Sequence, residues 1–210
     1  MRLNEIFLSV DGEVNKWGQG TWSTFVRLQG CNLRCCYCDT VRAQEWAGGE
    51  DMSQEQILKR VQALGCRKVT ITGGEPLTQF DECLSLLRAL RWSEYRASVE
   101  TNGSISIAEL VHLANVIVDY KLPSSGMEDN MSPTMFSLVK GDDWIKFVIK
   151  NRVDYERAKE VLNQKYMRGQ AAFSACAPDL QILELLKWMK EDKLFWVRVN
   201  VQLHKLIGMA

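Results

Sequence analysis

The sequence predicts an α/β protein: an open partial barrel of mainly parallel strands, formed by one domain over residues 1–210. Three observations lead there. Short runs rich in valine, isoleucine and threonine alternate with segments of helical apolar period, as in successive βαβ units, and right-handed crossovers curl such units in one sense. The residues with chemical capability fall just after those runs, at the C-terminal ends of strands, where folds of this class bind ligands. A chain of 210 residues, 46% hydrophobic and 25% charged, suits one sizeable core.

Residues 5–10 alternate loosely and read as a short strand, stopped by the turn Asp11-Gly12-Glu13. Residues 14–20 are loop, with Gly18 and Gly20 as breakers. Residues 24–29 form a β-branched and aromatic strand that Gly30 ends, which delivers the chain to the cysteine-rich run 31–40. Residues 42–51 are polar loop. Ser53 is an N-cap with Gln56 completing a capping box, and Ile57, Leu58, Val61 and Leu64 share one face of the helix that follows. Next come strand 69–72, the turn Gly73-Gly74-Glu75-Pro76, and a helix carrying Cys83, Leu84, Leu86 and Leu87. Strand 97–101 ends at Asn102-Gly103, and residues 107–113 predict a short helix. Strand 116–121 closes at Leu122-Pro123-Ser124-Ser125-Gly126, and residues 135–139 predict another short helix. Strand 144–149, helix 153–166, strand 171–176, helix 179–190 and a last strand 196–203 complete the pattern, with His204 and Lys205 just beyond.

Four of the seven cysteines lie in eight consecutive residues, and Cys31, Cys35 and Cys38 have the spacing C-x₃-C-x₂-C. Thiolates are soft ligands that select iron–sulfur clusters, zinc or copper(I). Three on one loop can hold three irons of a cubane and leave the fourth open to a small molecule. A structural zinc site wants four protein ligands, and Cys66, Cys83, Cys176, His112 and His204 are isolated, so Cys36 would have to complete it. The stretch Cys35-Cys36-Tyr37-Cys38 also contains a C-x₂-C dithiol, which leaves Cys31 unexplained. On spacing the cluster leads, and zinc and dithiol stay open. Cys36, Cys66, Cys83 and Cys176 read as small buried hydrophobes. The Gly73-Gly74 turn lets a ligand approach the backbone, although such a turn alone is usually only a turn.

With both motifs present, the sequence resembles the radical S-adenosylmethionine superfamily, on the cysteine spacing, Tyr37 before the last cysteine, and Gly73-Gly74-Glu75-Pro76. Glu5-Ile6-Phe7, Asp11-Gly12-Glu13, Phe25-Val26-Arg27, Cys38-Asp39-Thr40, Glu100-Thr101-Asn102-Gly103 and Gln202-Leu203-His204-Lys205 resemble its 7-carboxy-7-deazaguanine synthase family. The run from Asp119 to Gly126 is similar to the clostridial-type branch. The resemblance implies a radical-SAM-type barrel and a [4Fe-4S] cluster on Cys31, Cys35 and Cys38. It implies S-adenosylmethionine chelating the open iron, and a 5′-deoxyadenosyl radical that abstracts a substrate hydrogen. The reaction implied converts 6-carboxy-5,6,7,8-tetrahydropterin to 7-carboxy-7-deazaguanine and ammonia on the route to queuosine. The resemblance also implies that S-adenosylmethionine is regenerated at each turnover, that Mg²⁺ is needed and that the protein is a homodimer; the sequence does not name the electron donor, for which reduced flavodoxin or ferredoxin is the expectation.

Roles follow from the resemblance residue by residue. Val10, Asp11 and Gly12 line the pterin site, Arg27 pairs with the substrate carboxylate through its planar fork, and Thr72 contacts substrate. Tyr37 packs near the adenine, Gly74 meets the methionine part, and Asp39, Lys121 and Ser174 lie on the cofactor side. Thr40 supplies a hydroxyl to Mg²⁺, a hard ion that prefers oxygen. His204 reaches the substrate, or is a satisfied polar residue at the barrel rim; Arg27 has the plain alternative of a strand-end charge. Asp11 stands where many members have Gln, Ala175 where proline is common, and Met209-Ala210 where some members end in a substrate-contacting proline.

The formal net charge is zero, which points away from nucleic acid and anionic membranes. The start is not a signal peptide and no run of 18 apolar residues exists, so a cytoplasmic protein with reduced thiols is expected. Two rivals remain. An activase for a glycyl-radical enzyme shares the cysteine spacing but gives Arg27 and Thr40 no task. A zinc-stabilised binding module leaves the Gly-Gly turn unexplained. Trp22, Trp46, Trp92, Trp144, Trp188 and Trp196 read as core or interface rather than ligand contacts.

Overall fold

The computed structural model describes residues 1–209; Ala210, the second half of the Met209-Ala210 ending, lies outside the described residues. Strand β1 (Arg2–Val10) pairs antiparallel with β2 (Trp22–Leu28), and the two-residue β3 (Glu50–Asp51) pairs antiparallel with β1. Helix α1 (Gln54–Ala63) leads to β4 (Lys68–Gly73), and α2 (Phe80–Trp92) leads to β5 (Arg96–Thr101). Strand β6 (Asn115–Tyr120) follows, then α3 (Met135–Leu138) and β7 (Trp144–Ile149). Helix α4 (Arg152–Gln164), β8 (Gln170–Ala175), α5 (Ile182–Glu191), β9 (Arg198–Asn200) and a helical turn α6 (Leu203–Leu206) finish the chain. The sheet order is β3-β1-β2-β4-β5-β6-β7-β8-β9, parallel from β2 onward, and β3 and β9 are its unjoined edges. The expected open, mainly parallel barrel is what forms.

Sequence explains the parallel part directly. On a strand successive side chains face opposite ways. Val69 and Ile71, Val116 and Val118, and Ile145, Phe147 and Ile149 are fully buried in one core with helix residues such as Val61 and Leu87, while polar residues such as Thr70, Asp119 and Lys146 take positions of the opposite face. The helices cover the outer face with one stripe each, Ile57 and Val61 on α1, and Cys83, Leu86, Leu87 and Leu90 on α2. The Ser53 capping box is present: Gln56 N–H donates to Ser53 Oγ at 3.2 Å and Ser53 N–H to Gln56 Oε1 at 2.7 Å.

Segment 11–20 runs across the inside of the barrel and closes its lower end. Val14 packs there with Ile117, Trp144 and Ala172 as a small core of its own. Val14 N–H donates to Asn200 Oδ1 at 2.8 Å and Lys16 N–H to Asn115 Oδ1 at 2.9 Å. The mouth therefore lies at the C-terminal strand ends.

Several expected elements differ. Residues 107–113 are successive turns, with Leu110 N–H donating to Ile107 O and Leu113 N–H to Leu110 O, rather than a helix. So short a segment cannot repay helix nucleation, and burial of Ile107, Leu110 and Val111 holds it instead. The loop at 42–51 contains a 3₁₀ turn (Val41–Ala43) and β3. Helix α5 begins at Ile182 and not at residue 179, because Leu180 N–H closes a turn onto Cys176 O first. The last strand is only Arg198–Asn200; the chain then leaves the sheet edge, so His204 sits on α6 instead of beyond a strand. Trp144 is buried, whereas Trp92 is 90% exposed and Trp22, Trp46 and Trp196 also lie at the surface. Cys83 is a core residue, its thiol pushed up to about 12 by burial, but Cys36 is exposed and Cys66 and Cys176 are half-buried, against the reading of all four as buried.

Candidate active site

Strand β2 ends in Gln29-Gly30, and the chain turns into the cysteine loop. That loop is tied at its base: Gly30 N–H donates to Ala43 O at 2.8 Å and Cys31 N–H to Gln44 O at 3.0 Å. The turn after β4 is laced to it, with Gly74 N–H on Leu28 O at 3.1 Å and Glu75 N–H on Gly30 O at 2.8 Å. A Cβ on Gly74 would collide with the carbonyl oxygens of Gly30 and Ala43, so glycine is required by the close approach of two loops. Glu75 is fully buried and joins a third loop, accepting from Leu77 N–H at 3.0 Å, Thr101 Oγ1 at 2.7 Å and Asn102 N–H at 2.6 Å. Burial raises its carboxyl, and the three donors oppose that rise. Asn102 in turn reaches Cys31 Sγ at 3.8 Å, and Leu33 N–H donates to the same sulfur at 3.4 Å.

These loops surround a cavity of about 500 Å³. Cys31, Cys35 and Cys38 are half-buried in its wall. Cys36 is not in the wall; its thiol donates to Ser125 O at 3.3 Å. Tyr37, Asp39, Thr40, Gly74, Lys121 and Ser174 also line the cavity, and so do Val10, Asp11, Gly12, Arg27, Thr72 and His204. Every residue singled out from the sequence thus faces one space.

The floor carries charges that the sequence reading left without a role. Lys146 and Glu13 form an ion pair at 2.9 Å with side chains only 9% and 8% exposed. Asp119 lies between Lys146 at 3.5 Å and Lys121 at 3.1 Å. Burial alone would raise Glu13 and Asp119; Lys146 outweighs it at Glu13, and Lys121 with Lys146 at Asp119, so both carboxyls are lowered. Asp11 is tied to Lys68 Nζ at 2.6 Å and Thr70 Oγ1 at 3.1 Å. Glu100 accepts from Thr72 Oγ1 at 2.8 Å, and burial with the nearby Glu13 and Asp11 charges pushes it up to about 8. A usable signal existed: Asp119 and Lys146 are charged residues inside mostly apolar strands, where an ion must find a partner or a task.

Other polar groups are committed already. Arg27 Nε donates to Glu5 Oε1 at 2.8 Å, and Arg42 shares that carboxylate. Thr40 Oγ1 donates to Asp39 Oδ1 at 3.0 Å, while Lys205 Nζ is 2.5 Å from Asp39 Oδ2. Burial would raise Asp39, but Lys205 and Thr40 outweigh it and bring it to about 2. Desolvation lowers His204.

Comparison with known proteins decides the family. The model of the radical SAM superfamily matches residues 25–164. The 7-carboxy-7-deazaguanine synthase of Clostridium acetobutylicum is 35% identical, over 98% of this chain and 95% of that one. The chain belongs to the 7-carboxy-7-deazaguanine synthase family of radical SAM enzymes. The synthase of Koribacter versatilis is 36% identical over 99% of this chain and 96% of its own. The crystal structure of QueE from Escherichia coli shares the fold, with a TM-score of 0.75 at 22% identity, covering 95% and 93% of the two chains. Neither the activase nor the zinc-module reading survives near-full-length kinship with these synthases.

The residues present fit the superfamily's iron–sulfur cluster and S-adenosylmethionine. Among the described residues no three His, Cys, Asp or Glu side chains converge on a single ion, yet three thiols share one cavity wall. Burial pushes the Cys31 and Cys35 thiols up, so thiolates there call for a cation. Tyr37 Oη and Asp119 Oδ1 are buried beside them with no hydrogen-bond partner among the described residues, which suits a polar ligand in the cavity. Because the Cys36 thiol is turned to Ser125 outside this wall, Cys36→Ala is expected to retain full iron after anaerobic reconstitution; loss of iron would redraw the ligand set.

Proposed function

We propose that this chain converts 6-carboxy-5,6,7,8-tetrahydropterin to 7-carboxy-7-deazaguanine and ammonia, using a [4Fe-4S] cluster, S-adenosylmethionine and Mg²⁺. The observation that carries this reading is one cavity walled by three thiols and the Gly73-Gly74 turn and floored by buried charges. Cys31, Cys35 and Cys38 hold the cluster. When bound, the cluster and S-adenosylmethionine supply one-electron reduction and removal of a substrate hydrogen. The backbone at Gly74 meets the methionine part, Tyr37 lies along the adenine, and Asp39, Lys121 and Ser174 complete that side.

The pterin lies across Val10, Asp11 and Gly12, beside Thr72 and His204. Arg27 offers the substrate carboxylate the guanidinium N–H groups that Glu5 does not use, and Glu5 fixes the fork's orientation. Thr40 gives an oxygen to Mg²⁺ and is oriented by its bond to Asp39. His204, lowered by desolvation, meets the substrate as a neutral imidazole. Segment 11–20 keeps water from entering through the barrel's lower end. Family membership supports reduced flavodoxin or ferredoxin as donor, a homodimer, a single radical SAM domain and a cytoplasmic setting. Among the described residues no helix is long and apolar enough to cross a membrane.

The test is anaerobic: reconstituted enzyme, S-adenosylmethionine, Mg²⁺, dithionite and carboxytetrahydropterin, with products read by mass spectrometry. 7-Carboxy-7-deazaguanine is the expected product. 5′-Deoxyadenosine without it would keep the radical chemistry and overturn the substrate; a protein that takes up no iron would overturn the reading altogether.

A further inference from the structure

Strand β6 runs apolar through Val116, Ile117 and Val118 and then presents Asp119 and, two residues on, Lys121 to the cavity wall that also carries Cys35. Both side chains are largely buried, with Asp119 Oδ2 3.1 Å from Lys121 Nζ. The same oxygen is 3.5 Å from Lys146 Nζ on the neighbouring β7, where Asp119 and Lys146 are register partners. Asp119 Oδ1 is buried without a hydrogen bond. A carboxylate held between two lysines, with an oxygen left unbonded, contributes mainly through its charge. The other charged groups around it are Glu13, paired with Lys146, and Glu100, held by Thr72. Burial pushes the Cys35 thiol up, and beside that Lys121 draws it down while Asp119 pushes it up, so the two charges bear on it with opposite signs.

We propose that Asp119 is a positioning residue that anchors Lys121 beside Cys35 and cancels its charge there, keeping the reduction potential of the cluster low. The argument rests on the cluster assignment above. Reduction adds one negative charge to a cluster. An uncompensated ammonium nearby stabilises that reduced form and raises the potential; a neutral ion pair does so far less. A low potential is what a site that must pass an electron onward to a sulfonium needs.

The test compares the reconstituted parent with Asp119→Asn, Lys121→Gln and the double variant. Each is titrated with dithionite, which delivers one electron per cluster, and the reduced cluster is quantified by electron paramagnetic resonance. With equal iron content, Asp119→Asn is expected to raise the midpoint potential, Lys121→Gln to lower it, and the double variant to return close to the parent. A merely structural Asp119 would leave the midpoint unmoved in the single variant, or shifted equally in the single and the double; either result overturns the proposal. If Asp119→Asn fails to hold iron, Lys121→Gln and Asp119→Glu decide: a lowered midpoint in the first and a parent-like one in the second support it, and an unmoved Lys121→Gln refutes it. A parent without a reducible cluster would defeat the functional reading itself, whereas a normal parent with an unmoved Asp119→Asn defeats only the role of Asp119.

Discussion

Alanine at Cys31, Cys35 or Cys38 is expected to abolish iron binding and turnover together. In the proposed site each thiolate serves one iron, and the cysteine loop offers no substitute. Cys36 is turned outward to Ser125, and Cys176, although it lines the same cavity, stands on the far strand β8 rather than on the cysteine loop. Iron and sulfide per chain after reconstitution are the readout, with circular dichroism as the control for folding. The fold is expected to survive, since backbone bonds from Gly30, Cys31 and Glu75 hold the loop without its sulfurs. Full iron in any one variant would remove that cysteine from the ligand set.

Lys146→Met is expected to have the next largest effect, a loss of about 3–5 kcal/mol in stability, because breaking a buried pair leaves its partner charge uncompensated. Two carboxylates are affected here, Glu13 at 2.9 Å and Asp119 at 3.5 Å. For a chain of this size the melting temperature falls by on the order of 10 °C. Turnover should fall too, because Glu13, Gly12 and Asp11 form the floor of the cavity. Adding Glu13→Gln should restore part of the stability, and the coupling can be read from a double-mutant cycle. A loss below about 1 kcal/mol would mean that this pair does not hold the floor in place.

Most of the barrel is readable along the chain because parallel strands announce themselves twice, by apolar succession and by glycine or proline at their exits. Strand 144–149 is legible to the residue from its apolar and aromatic run alone, with Lys150-Asn151 and no glycine or proline at its exit, and the Ser53 cap declares its helix locally. The misplacement at the last strand has a different cause. The end of β9 and the start of α6 depend on Asn200 and Gln202 reaching back to Glu13, tertiary bonds with no local signature. In the site, loop motifs identified the cysteines and Gly74, because their chemistry depends on spacing. The charged floor escaped because Glu13, Asp119 and Lys146 are distant in sequence and acquire meaning only as partners.

Glu13 also dictates an order of events. Its partner Asn200 lies 187 residues away, and Gln202 still further along the chain. On a ribosome the cysteine loop emerges early, while the floor beneath it cannot assemble until β9 has been released, and contacts so remote in sequence form late. A nascent chain therefore exposes Cys31, Cys35 and Cys38 until β9 is made, and a cluster in the proposed site gains the last part of its enclosure only then.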